Sequence, residues 1–300
     1  MNNNLHFRRI AIIGIGLIGS SIARVIRRER ISDHIVVCAK SEESRLRSLE
    51  LGIADSVTED PREAVKDADL IFLCTPLLTY VEIATLIAPF IDKHAILTDV
   101  GSVKGSVIRD LSTILDSDTL FVPAHPVAGT EKSGPDSGFE TLFNDRWCII
   151  TPCKNSNKES IKTISNFWNS AGSNIEVMDP HHHDLILAVT SHLPHLIAYN
   201  IVGTADDLEN ITNSDVIKFS AGGFRDFTRI AASDPVMWRD IFLSNRDAVI
   251  EMLSRFNSDL LKLQNAVSDG DGSMLEKLFS RTRKIRKDIL DAGQAKKKSD

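Results

Sequence analysis

Residues 10–29 read IAIIGIGLIGSSIARVIRRE, and this stretch decides the fold. A short apolar run, Ile10 to Ile13, stops at Gly14-Ile15-Gly16-Leu17-Ile18-Gly19, and an amphipathic segment opens at Ser20. Strand, glycine turn and helix in that order begin a βαβ unit. Gly14 permits the tight turn, Gly16 lets the backbone approach a pyrophosphate, and Gly19 lets helix and strand pack closely. The helix N-terminus then offers its unpaired N–H groups to phosphate. Dinucleotide binding through Gly14, Gly16, Leu17, Ile18 and Gly19 is the expectation.

Further along the chain, strand-like runs at His34–Ala39, Leu70–Thr75, Ala95–Asp99, Leu120–Pro123 and Trp147–Thr151 alternate with helical segments at Ser41–Leu51, Val81–Ile91 and Ser106–Leu115. This predicts an α/β Rossmann domain, a doubly wound and mostly parallel sheet, over residues 1–178. The stretch Ala124–Asn144 is rich in Gly, Ser and Pro and long for a connection, which makes it a candidate functional loop. Past Pro180 the strand signals stop. Asp179-Pro180 and Ser233-Asp234-Pro235 each carry a cap and a first-turn proline. From Trp238 to Val267 apolar residues recur at threes and fours, predicting one helix about 45 Å long at 1.5 Å per residue. Its apolar stripe is longer than a small domain can cover, so residues 179–300 are expected to form an all-α dimerisation domain and the protein a homodimer through these helices.

Composition limits the functions available. With 35 Lys+Arg against 41 Asp+Glu the net charge is −6, which leaves nucleic-acid binding no general electrostatic footing. Only residues 281–300 run the other way, with eight basic and three acidic residues, read as a helix end and a solvated tail. The four cysteines have no CxxC or metal-ligand spacing, which fits a reducing cytoplasm. No apolar stretch of 18 residues and no leader pattern is found, so a soluble, cytoplasmic protein with no membrane partner is expected.

Several further positions carry chemistry. The end of the second strand reads Ala39-Lys40-Ser41 where an acid would bind the ribose of NAD. Lys40, Ser41 and Arg45 are therefore candidate contacts to a 2′-phosphate, or Lys40 is simply solvated; NAD and NADP both stay open. Cys74-Thr75-Pro76 ends a strand at the edge where such sheets place ligands and is expected to line the cofactor. Ser102, in Asp99-Val100-Gly101-Ser102-Val103-Lys104, offers a hydroxyl near the nicotinamide or caps a helix starting at Val103. His125, flanked by Pro123 and Pro126 at a strand end, is a candidate proton acceptor. His192 and His195 share a helix face beside Pro194, which should kink that helix. His181, His182 and His183 sit at a helix start without a suitably spaced acid, so no metal is expected. From Thr163 to Ile217 there is no Lys or Arg, which leaves Arg225 and Arg229, four apart, to bind an anion or to pair with Asp226 and Asp234.

Together the blocks GIGLIGSS, LCTP, TDVGSVKG, HPVAGTEKSG, SHLPH, GGFRDFTRIA and SDPVMWRDIF resemble the prephenate and arogenate dehydrogenases, the TyrA family of tyrosine biosynthesis, over nearly the whole chain. The resemblance implies an oxidoreductase that carries out oxidative decarboxylation of a cyclohexadiene substrate with NAD or NADP, without metal. It implies that His125 bonds the substrate's ring hydroxyl, that Ser102 supports it, that Arg229 binds a substrate carboxylate and that His195 joins the substrate pocket. Thr130, Arg225 and Trp238, within the same blocks, complete the expected substrate set. Prephenate is the expected substrate because no acidic cluster awaits an ammonium; arogenate, or use of both, is the alternative. A β-hydroxyacid dehydrogenase, which looks to a helical-side lysine, fits the lysine-free run poorly; a sensing module would leave His125 and Arg229 without work. Inhibition by tyrosine stays open, and the roughly 30 residues after Val267 are too few for a further core.

Overall fold

The structure, a computed structural model, describes residues 5–130, 132–212 and 217–291. In chain order the elements are β1 (Phe7–Ile13), α1 (Leu17–Glu29), β2 (Ser32–Cys38), α2 (Glu42–Glu50), β3 (Ser56–Thr58), α3 (Pro61–Val65), β4 (Leu70–Leu73), α4 (Tyr80–Ile87), β5 (Ile96–Asp99), α5 (Gly105–Leu111), β6 (Leu120–Val122) and β7 (Ala124–Pro126). They continue with β8 (Trp147–Ile150), α6 (Lys158–Ser170), β9 (Asn174–Val177), α7 (Pro180–Leu187), α8 (Leu193–Thr212), α9 (Gly222–Thr228), α10 (Pro235–Ser244), α11 (Arg246–Ser268) and α12 (Gly272–Asp291). The terminal run Lys296-Lys297-Lys298 lies outside the described residues.

Six strands form one parallel sheet in the order β3-β2-β1-β4-β5-β6, the Rossmann arrangement in which order reverses beside β1. Alternation along β1 divides the core between two faces. Ile10 and Ile12 pack with Ile22, Ile26, Phe72, Phe167 and Trp168, whereas Ala11 and Ile13 pack with Ile71, Leu73, Ile83 and Leu97. A second sheet, β7-β8-β9, has β7 antiparallel and β9 parallel to β8. The candidate loop after β7 is pinned to α1: Arg24 donates to Gly138 O at 2.8 Å and Pro135 O at 3.2 Å, and Phe139 N–H donates to Ser21 Oγ at 3.1 Å.

Two compact units divide the chain, Met1–Val249 and Ile250–Asp300. In the first, α7 and α8 are joined by a π turn, Ala188–His192. Pro194 has no N–H to give the carbonyl of Thr190 and its ring crowds that turn, so the helix widens there. The expected single helix from Trp238 is interrupted. Asn245 leaves helical geometry (φ −105°, ψ 33°) because its side chain turns inward, Nδ2 donating to Asp184 O at 2.9 Å and to His192 Nδ1 at 3.1 Å. In the second unit the turn before α12 uses Gly270 at φ +68°, and Asp271 caps the helix by accepting Met274 N–H at 2.9 Å.

Among the described residues one helical stretch, Pro180–Leu208, is long and apolar enough by length and composition to cross a membrane, with a mean hydropathy of 1.5 in its best window. The expectation of no such stretch missed it because His, Ser, Thr and Pro interrupt the apolar run while Leu, Ile, Val and Ala keep its average high. Its inward face carries His183, Asp184 and His192, each hydrogen-bonded within the first unit.

Candidate active site

The glycine turn shows three different constraints. Gly14 sits at φ +96°, and a Cβ there would lie 2.7 Å from the backbone of Cys74. A Cβ on Gly19 would collide with Gly14 O. At Gly16 it would meet nothing within 4 Å, so the chain leaves open space beside the first turn of α1. Gly16 is the N-cap and no side chain caps that turn, so its N–H donors and the positive end of the helix dipole face that space. Open room plus backbone donors fits a dinucleotide pyrophosphate. Cys74 and Thr75 stand half-buried at the adjoining end of β4, with Pro76 exposed beside them.

At the end of β2 the structure spends two of the three expected phosphate contacts elsewhere. Ser41 Oγ caps α2 by accepting Ser44 N–H, and Arg45 donates to Ala39 O at 2.8 Å and Lys40 O at 2.9 Å while pairing with Glu59 at 3.4 Å. Lys40 is exposed without an ion pair among the described residues.

A buried polar cluster lies at the carboxyl end of β5. Asp99 and Lys104, both fully buried, form an ion pair; Lys104 Nζ also donates to Ala124 O at 2.8 Å, and Asp99 Oδ2 accepts Gly101 N–H at 2.8 Å. A Cβ on Gly101 would reach Leu77 and Asp99, so glycine is required for that return of the chain. Burial pulls the Lys104 pKa below the ordinary lysine value, with the Asp99 charge opposing it. The pair thereby anchors the strand that begins at Ala124 and carries His125.

His125 is 6% exposed, its Nδ1 lying 2.8 Å from His183 Nε2, while its Nε2 makes no hydrogen bond among the described residues. Burial first, then the proximity of His183, Lys104 and His192, holds its pKa well below the ordinary histidine value. A neutral imidazole with one unbonded nitrogen is what a proton acceptor needs. Ser102 stands half-buried between Gly101 and Val103 with no side-chain hydrogen bond among the described residues; α5 starts at Gly105, so Ser102 does not cap it.

On the helical side His195 stacks on Trp238, ring centroids 3.6 Å apart and 23° between planes, and its Nδ1–H donates to Ser191 O at 2.8 Å. Burial lowers the His195 pKa, the Ser191 bond opposes this, and the nearby Arg229 charge lowers it further. Arg229 follows α9 and is exposed; Arg225 is turned back onto Ser220 O at 3.0 Å, and exposed Thr130 accepts Lys132 N–H at 3.3 Å. Neither Arg225 nor Thr130 makes a hydrogen bond or ion pair to the His125 cluster among the described residues. His192 Nε2 and Trp238 Nε1 are buried without hydrogen-bond partners among the described residues.

The sequence reading did not single out Asp99, Lys104, Asp184 and Asn245, and treated His183 as one of three histidines at a helix start. A signal for His183 existed: with Asp179 as cap and Pro180 at the first position, residues 183 and 187 share the buried face while His181 and His182 face outward. Among the described residues no group of three His, Cys, Asp or Glu is arranged to hold a metal ion.

Comparison with known proteins bears on this geometry. Residues 22–177 match the family described as prephenate dehydrogenase, nucleotide-binding domain, and residues 179–281 match prephenate dehydrogenase, dimerization domain. The chain is 42% identical over 280 residues to a cyclohexadienyl dehydrogenase of Zymomonas mobilis, covering 93% of this chain and 95% of that protein. It is 34% identical over 278 residues to a prephenate dehydrogenase of Bacillus subtilis, covering 92% of this chain and 75% of that protein. Among solved structures, the prephenate dehydrogenase of Aquifex aeolicus in complex with hydroxyphenyl propionate and NAD+ superposes with a TM-score of 0.88 at 34% identity, over 94% of this chain and 98% of that one.

Proposed function

The chain belongs to the prephenate dehydrogenase family, a family of oxidoreductases, and on that premise we propose that it converts prephenate to 4-hydroxyphenylpyruvate by NAD(P)-dependent oxidative decarboxylation. Arogenate is the second substrate to weigh, favoured by the likeness to the cyclohexadienyl dehydrogenase. The observation that carries the reading is His125: buried, neutral, with Nε2 unbonded among the described residues, on β7 just past the carboxyl end of β6, a strand of the sheet that also bears the glycine turn.

The backbone at Gly14, Gly16, Leu17, Ile18 and Gly19 would hold the dinucleotide phosphates, with Cys74, Thr75 and Pro76 lining the approach to the ring. When bound, the nicotinamide supplies the hydride acceptor. Nε2 of His125 takes the proton of the substrate's ring hydroxyl as the ring carboxylate leaves as CO2, and Ser102 orients that hydroxyl. Prephenate is a dianion, so a chain of net charge −6 must bind it with local donors; Arg229 faces a carboxylate and His195, flat against Trp238, walls the side-chain end. Arg225 and Thr130 belong to the outer approach.

The end of β2, which carries Ala39 and Lys40 in place of an acid, supports tolerance of NADP as well as NAD. We also place the division between nucleotide-binding and dimerisation parts at 178/179. Exposed Ile201, Leu208 and Ile211 on α8, and Leu260, Leu261, Val267 and Phe279 in the second unit, support burial against a second copy of the chain. Light scattering should then return twice the chain mass. Steady-state assays of prephenate and arogenate, each with NAD+ and NADP+, test the function; absence of reduced cofactor with either substrate would refute it.

A further inference from the structure

Three side chains stand in series behind the open nitrogen of His125. His125 Nδ1 lies 2.8 Å from His183 Nε2, and His183 Nδ1 lies 2.8 Å from Asp184 Oδ1. The two rings meet edge to face, 70° apart with centroids 5.1 Å apart. The carboxylate at the end of the series is itself held: Lys104 N–H donates to Oδ1 and Gly105 N–H to Oδ2, each at 2.8 Å. A Cβ on Gly105 would lie 2.7 Å from Oδ2, so only glycine lets the chain deliver that second amide. Asn245 fixes the same residue from the other side through Asp184 O.

Counting protons along this series leaves one arrangement. A carboxylate accepts and does not donate, so His183 Nδ1 carries hydrogen. A neutral imidazole has a single N–H, which makes His183 Nε2 a bare acceptor and obliges His125 Nδ1 to be the donor. His125 Nε2 is then an open lone pair. The protonation states agree with this. Burial pushes the Asp184 pKa up, but the bonds from His183 and from the Lys104 and Gly105 amides outweigh it and leave the group ionised. Burial keeps His183 neutral against the pull of Asp184. The other ionisable groups facing His125 are Lys104 and Asp99, which neutralise each other, together with His192 and the buried thiol of Cys148.

We propose that His183 and Asp184 are positioning residues: they hold His125 in the Nδ1–H tautomer, aim Nε2 outward as the proton acceptor, and share the positive charge once that nitrogen is protonated. The catalytic half of this statement rests on the reading of His125 as the base; the tautomer does not. When Nε2 takes a proton from a hydroxyl, the ring becomes imidazolium and its Nδ1–H stays bonded to His183, whose own proton stays on the Asp184 side. No atom need move. That rigidity is the benefit, since small misplacements of a reacting group cost about 10²-fold in rate.

The test reads tautomer and turnover separately. Protein labelled with ¹⁵N at histidine gives, for each ring, which nitrogen bears hydrogen, without any substrate. Wild type should show His125 protonated at Nδ1 and bare at Nε2. His183→Gln retains an acceptor where Nε2 stood and should keep both the tautomer and kcat within about tenfold. His183→Phe removes the acceptor at similar volume; it should lose the single tautomer and lower kcat by about 10²-fold or more with KM for substrate and cofactor little changed. A wild-type His125 protonated at Nε2 would overturn the proposal. So would Gln and Phe variants that lose activity equally and in step with melting temperature, the mark of a purely structural role. A correct tautomer in a protein that oxidises neither substrate supports the series and overturns the functional reading instead.

Discussion

The glycine turn and the histidine cluster lie in one compact unit and work by opposite physics. The turn presents backbone N–H groups and empty space; it contains no ionisable side chain, and its tolerance is steric, measured by where a single methyl group would collide. The cluster is closed, with Asp99, Lys104, His125, His183 and His192 all buried and each polar contact set by a charge or a proton. A surface of backbone dipoles is indifferent to pH and unforgiving of volume. A buried set of compensating charges tolerates neither loss of a partner nor a change of protonation. The first suits a ligand that comes and goes, the second a chemical step that needs one fixed proton arrangement.

The largest effect should come from breaking charge compensation. Lys104→Met keeps much of the volume but leaves Asp99 buried and unpaired and frees Ala124 O, so it should cost about 3–5 kcal/mol of stability in urea titrations. A loss under about 1 kcal/mol would mean that the pair is not the anchor of the β7 strand.

Acid should find the cluster before it finds the turn. Burial pushes His192 down to about 4 from the ordinary value of 6.5. Its neutral state therefore contributes stability that is full above about 6.5, where the unfolded chain is also neutral, and is lost as pH falls from there through about 4. That is worth about 3 kcal/mol at 1.36 kcal/mol per pH unit. Urea midpoints measured between pH 7 and 4 should fall for wild type and fall less for His192→Asn; a flat wild-type curve would contradict the assignment.

These two regions also differ in how far a reader of the chain could foresee them. Residues 14–19 are contiguous, so spacing alone specified turn, helix and neighbouring strand, and a mostly parallel sheet followed from the alternation after it. β3 and β9 escaped because strands of three or four residues are too short for a pattern to stand out: in Asn174–Val177 only Ile175 and Val177 alternate with polar residues. The cluster gathers residues 99, 104, 125, 183, 184, 192 and 245. His125 was visible from its prolines. His183 needed the phase of α7, and the break at Asn245 needed the knowledge that its amide has partners in the core. Ser41 and Arg45, plausible as phosphate contacts by position, turn out to have local backbone partners that proximity in sequence does not announce.

Smaller effects sharpen the contrast on the ligand side. Arg229→Ala should raise KM for prephenate by one to two decades, since a charge-assisted bond to a carboxylate is worth about 1.5–3 kcal/mol, and Arg229→Lys should recover only part because a point charge cannot replace the guanidinium fork. An unchanged KM with reduced stability would assign Arg229 to the fold. Smaller again, Ala39→Asp should lower kcat/KM for NADP+ by about tenfold, the 1.4 kcal/mol of a like-charge contact, and leave NAD+ use unchanged or improved. A wild type that already rejects NADP+ as strongly as the variant would place cofactor choice elsewhere than at the end of β2.

The most direct measurement follows reduced cofactor after prephenate is added to wild type and to His125→Asn, from pH 5 to 8, at saturating NAD+. A buried, neutral base at residue 125 predicts that the variant keeps KM but loses about 10²- to 10⁴-fold in kcat. It also predicts that wild-type activity holds below the ordinary histidine value before failing in acid, because burial depresses the pKa of His125. Equal kcat in the two proteins would contradict the role of His125 and, with it, the chemical assignment of the cluster.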